Sequence, residues 1–223
     1  WSRSNGTGVY LGGRVVSFAK KNFALFWMVC VVVISHHYID HVSDDGAIFL
    51  RYVENIIAGE GAVFNSGEYV EGYSSPLWLL LLCLFSIFFP VSVVPKILGI
   101  GFLWCGFILL YNRLSQTQSF AIQQFLFCIV VLFGGHFYWM GTGMETPLLC
   151  FLWVGVAVFW NTKVGIFFLS LLGIARPEGP LLVLIGIILW SPSNSLSLRD
   201  KRWFALLPSG AWFFFRLFYY GDI

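Results

Sequence analysis

Two adjacent carboxylates, Asp44 and Asp45, follow Ser43 at the head of the stretch SDDGAIFLRYVENIIAGEGAVFNSGEYVEGYSSPLW. A carboxylate at such a place can take the proton from a hydroxyl as it attacks an electrophilic carbon, as paired carboxylates do in glycoside hydrolysis. The pair can also hold a divalent cation such as Mg2+, Mn2+ or Ca2+. We assign Asp44 as the base, with Asp45 as its alternative or as an acceptor or cation ligand. Arg51, Arg176 and Arg216 supply the opposite chemistry. A planar guanidinium grips phosphate oxygens in pairs and offsets the charge that develops on a leaving phosphate. Glu71, Asn65, Glu145 and Glu178 can bind sugar or acceptor hydroxyls, and Tyr73 can stack on a sugar ring. Each has a plainer reading. Ser43 would cap a helix whose dipole the two acids complement. Arg51 would pair with Glu54 or Asp44, and Arg176 with Glu178. Arg216, set among Phe215, Tyr219 and Tyr220, would snorkel to an interface. Glu145 would complement a helix N-terminus.

The elements that must position these groups are apolar. Of 223 residues, 58% are hydrophobic, 19% aromatic and 11% charged, against roughly 25% charged in an ordinary soluble domain. Mean hydropathy is +0.81. A chain of this size has no single core able to hide that much apolar surface. The composition argues against a soluble enzyme, a nucleic-acid binder, a disordered chain and a disulfide scaffold. It points to an all-α, polytopic transmembrane helical bundle. Cys30, Cys83, Cys105, Cys128 and Cys150 all lie in apolar runs without metal-like spacing and read as small core residues. His36, His37 and His41 do not form a metal motif.

Charge position sets the topology. The segment between Pro76 and Pro90 is too short for a clean span, because its 14 residues reach about 21 Å against a core of about 30 Å. It reads as an interfacial helix. Arg176-Pro177-Glu178-Gly179 breaks the later apolar run into a hairpin of two short helices. The expected spans are then about seven, near 22–38, 93–112, 119–139, 147–162, 164–175, 180–190 and 203–219. This arrangement gathers 9 of the 13 basic residues at cytoplasmic ends, including Arg3, Arg14, Lys20 and Lys21, and 10 of the 11 acids on the outer face. The basic bias makes the N-terminus cytoplasmic. The acids need another reason to gather, and loop 39–75 holds most of them.

The loop quoted above resembles the first outer loop of the GT-C membrane glycosyltransferases, in particular the family of the mycobacterial terminal arabinofuranosyltransferase. GTGMETPL at 141–148, ARPEG at 175–179 and RLFYYGD at 216–222 resemble later pieces of that family, in order along most of the chain. The resemblance implies a GT-C-like module covering residues 1–223, with the family's C-terminal spans and outer domain absent. It implies an inverting, multi-pass glycosyltransferase of the bacterial cytoplasmic membrane, with the catalytic face outside. The donor would be a polyprenyl-phosphate-linked sugar and the acceptor a cell-envelope glycan or lipid. Membrane lipid would be a partner and nucleic acid would not. No cofactor is required on this reading, with a divalent cation optional. Carried over, the family's acidic pair falls on Asp44 and Asp45. The competing readings are a lipid-sugar flippase, which would need polar groups at both faces and often an internal repeat, or an inactive lipid-binding fragment.

Overall fold

Local chemistry starts the first helix in the computed structural model, which describes residues 41–117, 138–139, 141–160, 162–190 and 201–221, with Val29 and Val33. Helix α1 (Asp44–Ile57) opens on Ser43, whose hydroxyl accepts from the Gly46 N–H at 3.0 Å. That bond satisfies one of the donors a helix start leaves orphaned. Asp44 and Asp45 fill the first turn, as expected, and both are exposed. Helix α1 buries Phe49, Tyr52, Val53 and Asn55.

The remaining helices follow proline and glycine punctuation. They are α2 (Pro76–Ser86), α3 (Val94–Thr117), α4 (Thr146–Val158), α5 (Lys163–Leu172), α6 (Gly179–Leu189) and α7 (Leu207–Tyr219), the last preceded by a 3-10 turn at Lys201–Leu206. Helices α2, α4, α6 and α7 each carry proline in the first two positions, where its missing N–H has no partner to lose. No strand occurs among the described residues. The all-α class therefore holds.

Among the described residues one helix, through Val94–Leu114, is long and apolar enough to cross a membrane. The seven-span expectation is thus met at one span. The expected first and third spans, the basic N-terminal segment and the 191–200 loop lie outside the described residues. Helices α4, α5, α6 and α7 have 13, 10, 11 and 13 residues, which is about 15–20 Å of rise. The break at residues 173–178 is present, and α5 and α6 form the expected pair of short helices. Helix α2 ends at Ser86 and is as short as the interfacial reading requires.

The core joins α1 to the later helices. Phe49, Tyr52 and Val53 pack with Tyr73, Trp78, Leu82, Leu148, Leu152, Leu169 and Leu172 in one buried cluster. Close approach depends on missing side chains. A Cβ on Gly155 would lie 2.3 Å from the Phe168 ring, which holds α4 against α5. Outward faces are apolar at helical spacing: Leu80, Leu84 and Ile87 on α2, and Leu181, Ile185, Ile188 and Leu189 on α6, are all exposed. Contiguous apolar faces of this size mark contact with lipid or a partner.

Candidate functional site

The α5–α6 break places Arg176 beside two carboxylates. Its Nη1 donates to Glu145 Oε1 at 2.8 Å and its Nε to Glu178 Oε1 at 3.1 Å. Glu145 is 0% exposed, and its second oxygen is buried with no hydrogen-bond partner. Glu145 is therefore engaged with Arg176 in the interior. The hydrogen bond that Arg176 donates to Glu145 is the main reason that the Arg176 pKa is raised, against desolvation and with help from Glu178.

Helix α7 contributes the second cation. Ser209, Trp212, Phe213 and Arg216 recur at spacings of three and four and so share one face. All four line a cavity of about 250 Å³ together with Glu71, Tyr73, Ser74, Gly173, Ile174 and Arg176. Arg216 forms an ion pair with Glu71, whose side chain is 14% exposed. Burial pushes the Glu71 carboxyl above its ordinary range, while the charge of Arg216 and hydrogen bonds from Arg216 and Trp212 pull it down. The Ser209 hydroxyl is buried on this cavity with no hydrogen-bond partner.

A second cavity of about 660 Å³ adjoins the first and is almost wholly apolar. It is lined by Ile56, Leu79, Leu80, Cys83, Ala211, Phe215 and Tyr219 among others, and it shares Tyr73, Ile174 and Trp212 with the polar cavity. Tyr73 is 5% exposed. Tyr52 packs edge-on to it at 4.9 Å, Trp212 lies at 6.0 Å, and its hydroxyl meets that of Tyr220 at 3.0 Å. It lines both cavities and forms part of the wall between them. Burial and the Tyr220 hydrogen bond both raise its pKa. Above it, Tyr219 accepts from Ala62 N–H at 2.9 Å and Tyr220 donates to Ala62 C=O at 2.8 Å. These bonds dock the end of α7 onto the outer loop.

The other sequence candidates lie apart from these cavities. Arg51 is half exposed, donates to Phe64 C=O at 3.2 Å and lies 3.9 Å from Glu54. Asn55 holds Val63 C=O and Phe64 C=O at 2.7 and 2.9 Å, so Arg51 and Asn55 together brace the loop. Asn65 donates to Glu68 at 2.9 Å in an exposed turn.

Asp44 and Asp45 line neither cavity, yet their helix is fastened to the Glu145 turn. Ser43 N–H and Oγ both donate to Thr142 C=O, at 3.2 and 3.3 Å. A Cβ on Gly46 would sit 2.4 Å from that same oxygen, so this contact needs glycine. Trp78 Nε1 donates to Gly143 C=O at 3.1 Å, and Gly143 has a φ of +87°, a region that costs glycine nothing. Among the described residues no group of three or more His, Cys, Asp or Glu is placed to hold a metal. The acidic pair expected to hold a cation, Asp44 and Asp45, is exposed at the start of α1. Neighbouring helical residues diverge by about 100°, which suits at most an ion shared with a substrate phosphate.

Sequence reading missed Ser209, Trp212 and the pairing of Glu71 with Arg216. The signal available was the spacing of three and four that puts Ser209, Trp212 and Phe213 on the Arg216 face.

No family model matches the chain, and no solved structure matches it. It is 60% identical over 37 residues to the terminal beta-(1->2)-arabinofuranosyltransferase of Corynebacterium glutamicum, which covers 17% of this chain and 5% of that protein. It is 54% identical over 41 residues to the terminal beta-(1->2)-arabinofuranosyltransferase of Mycobacterium tuberculosis, covering 18% of this chain and 6% of that protein. The likeness is therefore confined to a short segment, not spread over most of the chain. Within that segment the chain is similar to these arabinofuranosyltransferases, which supports a related glycosyltransferase.

Proposed function

We propose that this chain forms part of an inverting membrane glycosyltransferase that moves a sugar, arabinofuranose by analogy with its relatives, from a polyprenyl-phosphate donor to a cell-envelope glycan or lipid acceptor at the outer face of the cytoplasmic membrane. One observation carries the reading. Arg176 and Arg216 line one polar cavity, and an apolar cavity shares three of its walls. That pairing suits an amphiphile with an anionic head and an isoprenoid tail. The short-segment likeness to arabinofuranosyltransferases supports the transferase class, and the exposed apolar faces of α2 and α6 suit lipid.

In this reading Asp44 or Asp45 takes the acceptor proton as the hydroxyl oxygen attacks the anomeric carbon from the side opposite the leaving group. The anomeric carbon–oxygen bond to the phosphodiester breaks, and a phosphomonoester leaves with one more negative charge. Arg176 and Arg216 meet that charge, which is where fixed cations lower a barrier most. A divalent cation, where used, would be held by the acidic pair and would polarise the acceptor or the phosphate.

The test is transfer of labelled sugar from polyprenyl-phosphoryl arabinofuranose to endogenous acceptor in membranes carrying the full-length protein, with and without chelator. Transfer above empty membranes is expected. No transfer from this donor or from other polyprenyl-phosphoryl sugars, in membranes where the protein is present and folded, would refute the reading.

Glu71 makes binding pH-dependent. Its folded pKa is raised, chiefly by burial. Its contribution to stability is therefore full below the unfolded value and is lost as pH rises through the folded one. An entering phosphate competes with Glu71 for Arg216, and protonation of Glu71 removes the competitor. The affinity for a polyprenyl-phosphoryl sugar, whose phosphodiester stays singly charged, is expected to fall as pH rises through the window just above an ordinary carboxyl. Glu71→Gln should flatten that profile and hold it at the tighter, low-pH level. Titration by fluorescence or calorimetry in detergent micelles reads this directly. An unchanged profile in the variant would count against the competition.

A further inference from the structure

Glu145 opens α4 but makes no cap hydrogen bond to it. The carboxylate is turned inward instead, fully buried, with Oε1 on Arg176 and Oε2 without a partner. A buried carboxylate is costly unless paired and hydrogen-bonded, and here Arg176 supplies that pairing at one oxygen only. Arg176 Nε is taken by Glu178, which is 52% exposed, so the rigid half of its mounting is Glu145. The mounting continues outward. Glu145 ends the turn whose Thr142 C=O receives both Ser43 bonds at the head of the Asp44–Asp45 helix, and Trp78 clamps the same turn at Gly143.

We propose that Glu145 is a positioning residue. It fixes the guanidinium of Arg176 toward the polar cavity, at a set distance from the acidic pair, through the turn at 142–145. This rests on the reading of that cavity as a lipid-phosphate site. Glu145 does not touch substrate. It acts by keeping Nη1 committed, so that Nη2, which has no partner among the described residues, keeps one direction. A phosphate then meets a preorganised donor, and little orientation has to be paid for on binding.

The test compares binding of a polyprenyl phosphate with that of the corresponding polyprenol, using the full chain in detergent micelles. Wild type is expected to prefer the phosphate. Glu145→Gln removes the anchoring charge at constant volume, and Glu145→Asp keeps the charge but draws it back by one methylene. Each should weaken phosphate binding by about tenfold, within the range measured for residues of one polar network, and leave polyprenol binding unchanged. In an Arg176→Lys background, which lacks the second guanidinium nitrogen, the same changes should have no further effect.

If wild type shows no preference for the phosphate, the phosphate-site reading falls and this inference with it. If wild type keeps the preference but the Glu145 variants bind phosphate normally, or weaken polyprenol equally, or add their full effect to Arg176→Lys, only the positioning role is overturned. Should Glu145→Gln fail to fold, Glu145→Asp alone decides by the same comparison.

Discussion

Arg176→Met should cost about 3–5 kcal/mol of stability, the range found when one partner of a buried ion pair is removed. The reason lies with Glu145, not with the arginine. Arg176 is 38% exposed and can be lost to solvent at little expense, but Glu145 is 0% exposed and its second oxygen is already without a partner. Removing the guanidinium leaves a carboxylate in the core with nothing to balance it. The double variant Arg176→Met with Glu145→Leu should recover most of the loss, because well-packed apolar residues often replace a buried pair at no net cost. Recovery of fold will not recover anion binding, since the cavity then keeps only Arg216. Thermal unfolding of the chain in detergent, beside phosphate-lipid titration of each variant, separates the two effects. A single variant that melts with wild type would show that Glu145 finds another partner.

The second large effect is expected at the acidic pair. Asp44→Asn or Asp45→Asn, whichever removes the base, should lower sugar transfer by about 10²–10⁴-fold, with the other falling less. Both side chains are exposed at the helix start, and Ser43 makes the capping bond to Gly46. Folding should therefore change by no more than the few tenths to about 1 kcal/mol of a dipole contact. Activity and melting are thus expected to part company, unlike at Arg176. The clean measurement is initial transfer rate in membranes at matched protein level, with melting of the purified variants. If both Asn variants transfer at the wild-type rate, neither Asp is the base and the role passes to a group outside the pair.

Ser43 followed by Asp44 and Asp45 is a local signal, since capping depends on residues within one turn, and the helix begins there as expected. The breaks around Pro76, Pro90 and Arg176-Pro177-Glu178-Gly179 are equally local, because proline and glycine act through their own backbone. The all-α class follows from composition. Among the described residues one helix is long and apolar enough to cross a membrane, and four other apolar runs form short helices of 10–13 residues.

Which charges share a cavity was not a local matter. Arg51, Arg176 and Arg216 were all candidates by type, with Arg176 favoured by its place between two short apolar runs. Packing decided among them: α7 carries Arg216 to the wall that Arg176 reaches from the α5–α6 break, while α1 aims Arg51 at Phe64 and Glu54. Glu145 was a candidate for sugar binding because it follows a glycine-rich turn, and only the tertiary structure showed it to be buried against Arg176. By itself, then, the sequence determined the helical class, the helix starts and breaks, and the small set of charged residues available for chemistry, because these depend on composition and on neighbours in the chain. The tertiary structure decided which of those charges meet, which are buried and which brace a loop. The Glu145–Arg176 pairing and the docking of Tyr220 depend on contacts between residues 31 and 158 positions apart, and such contacts leave no mark on local spacing.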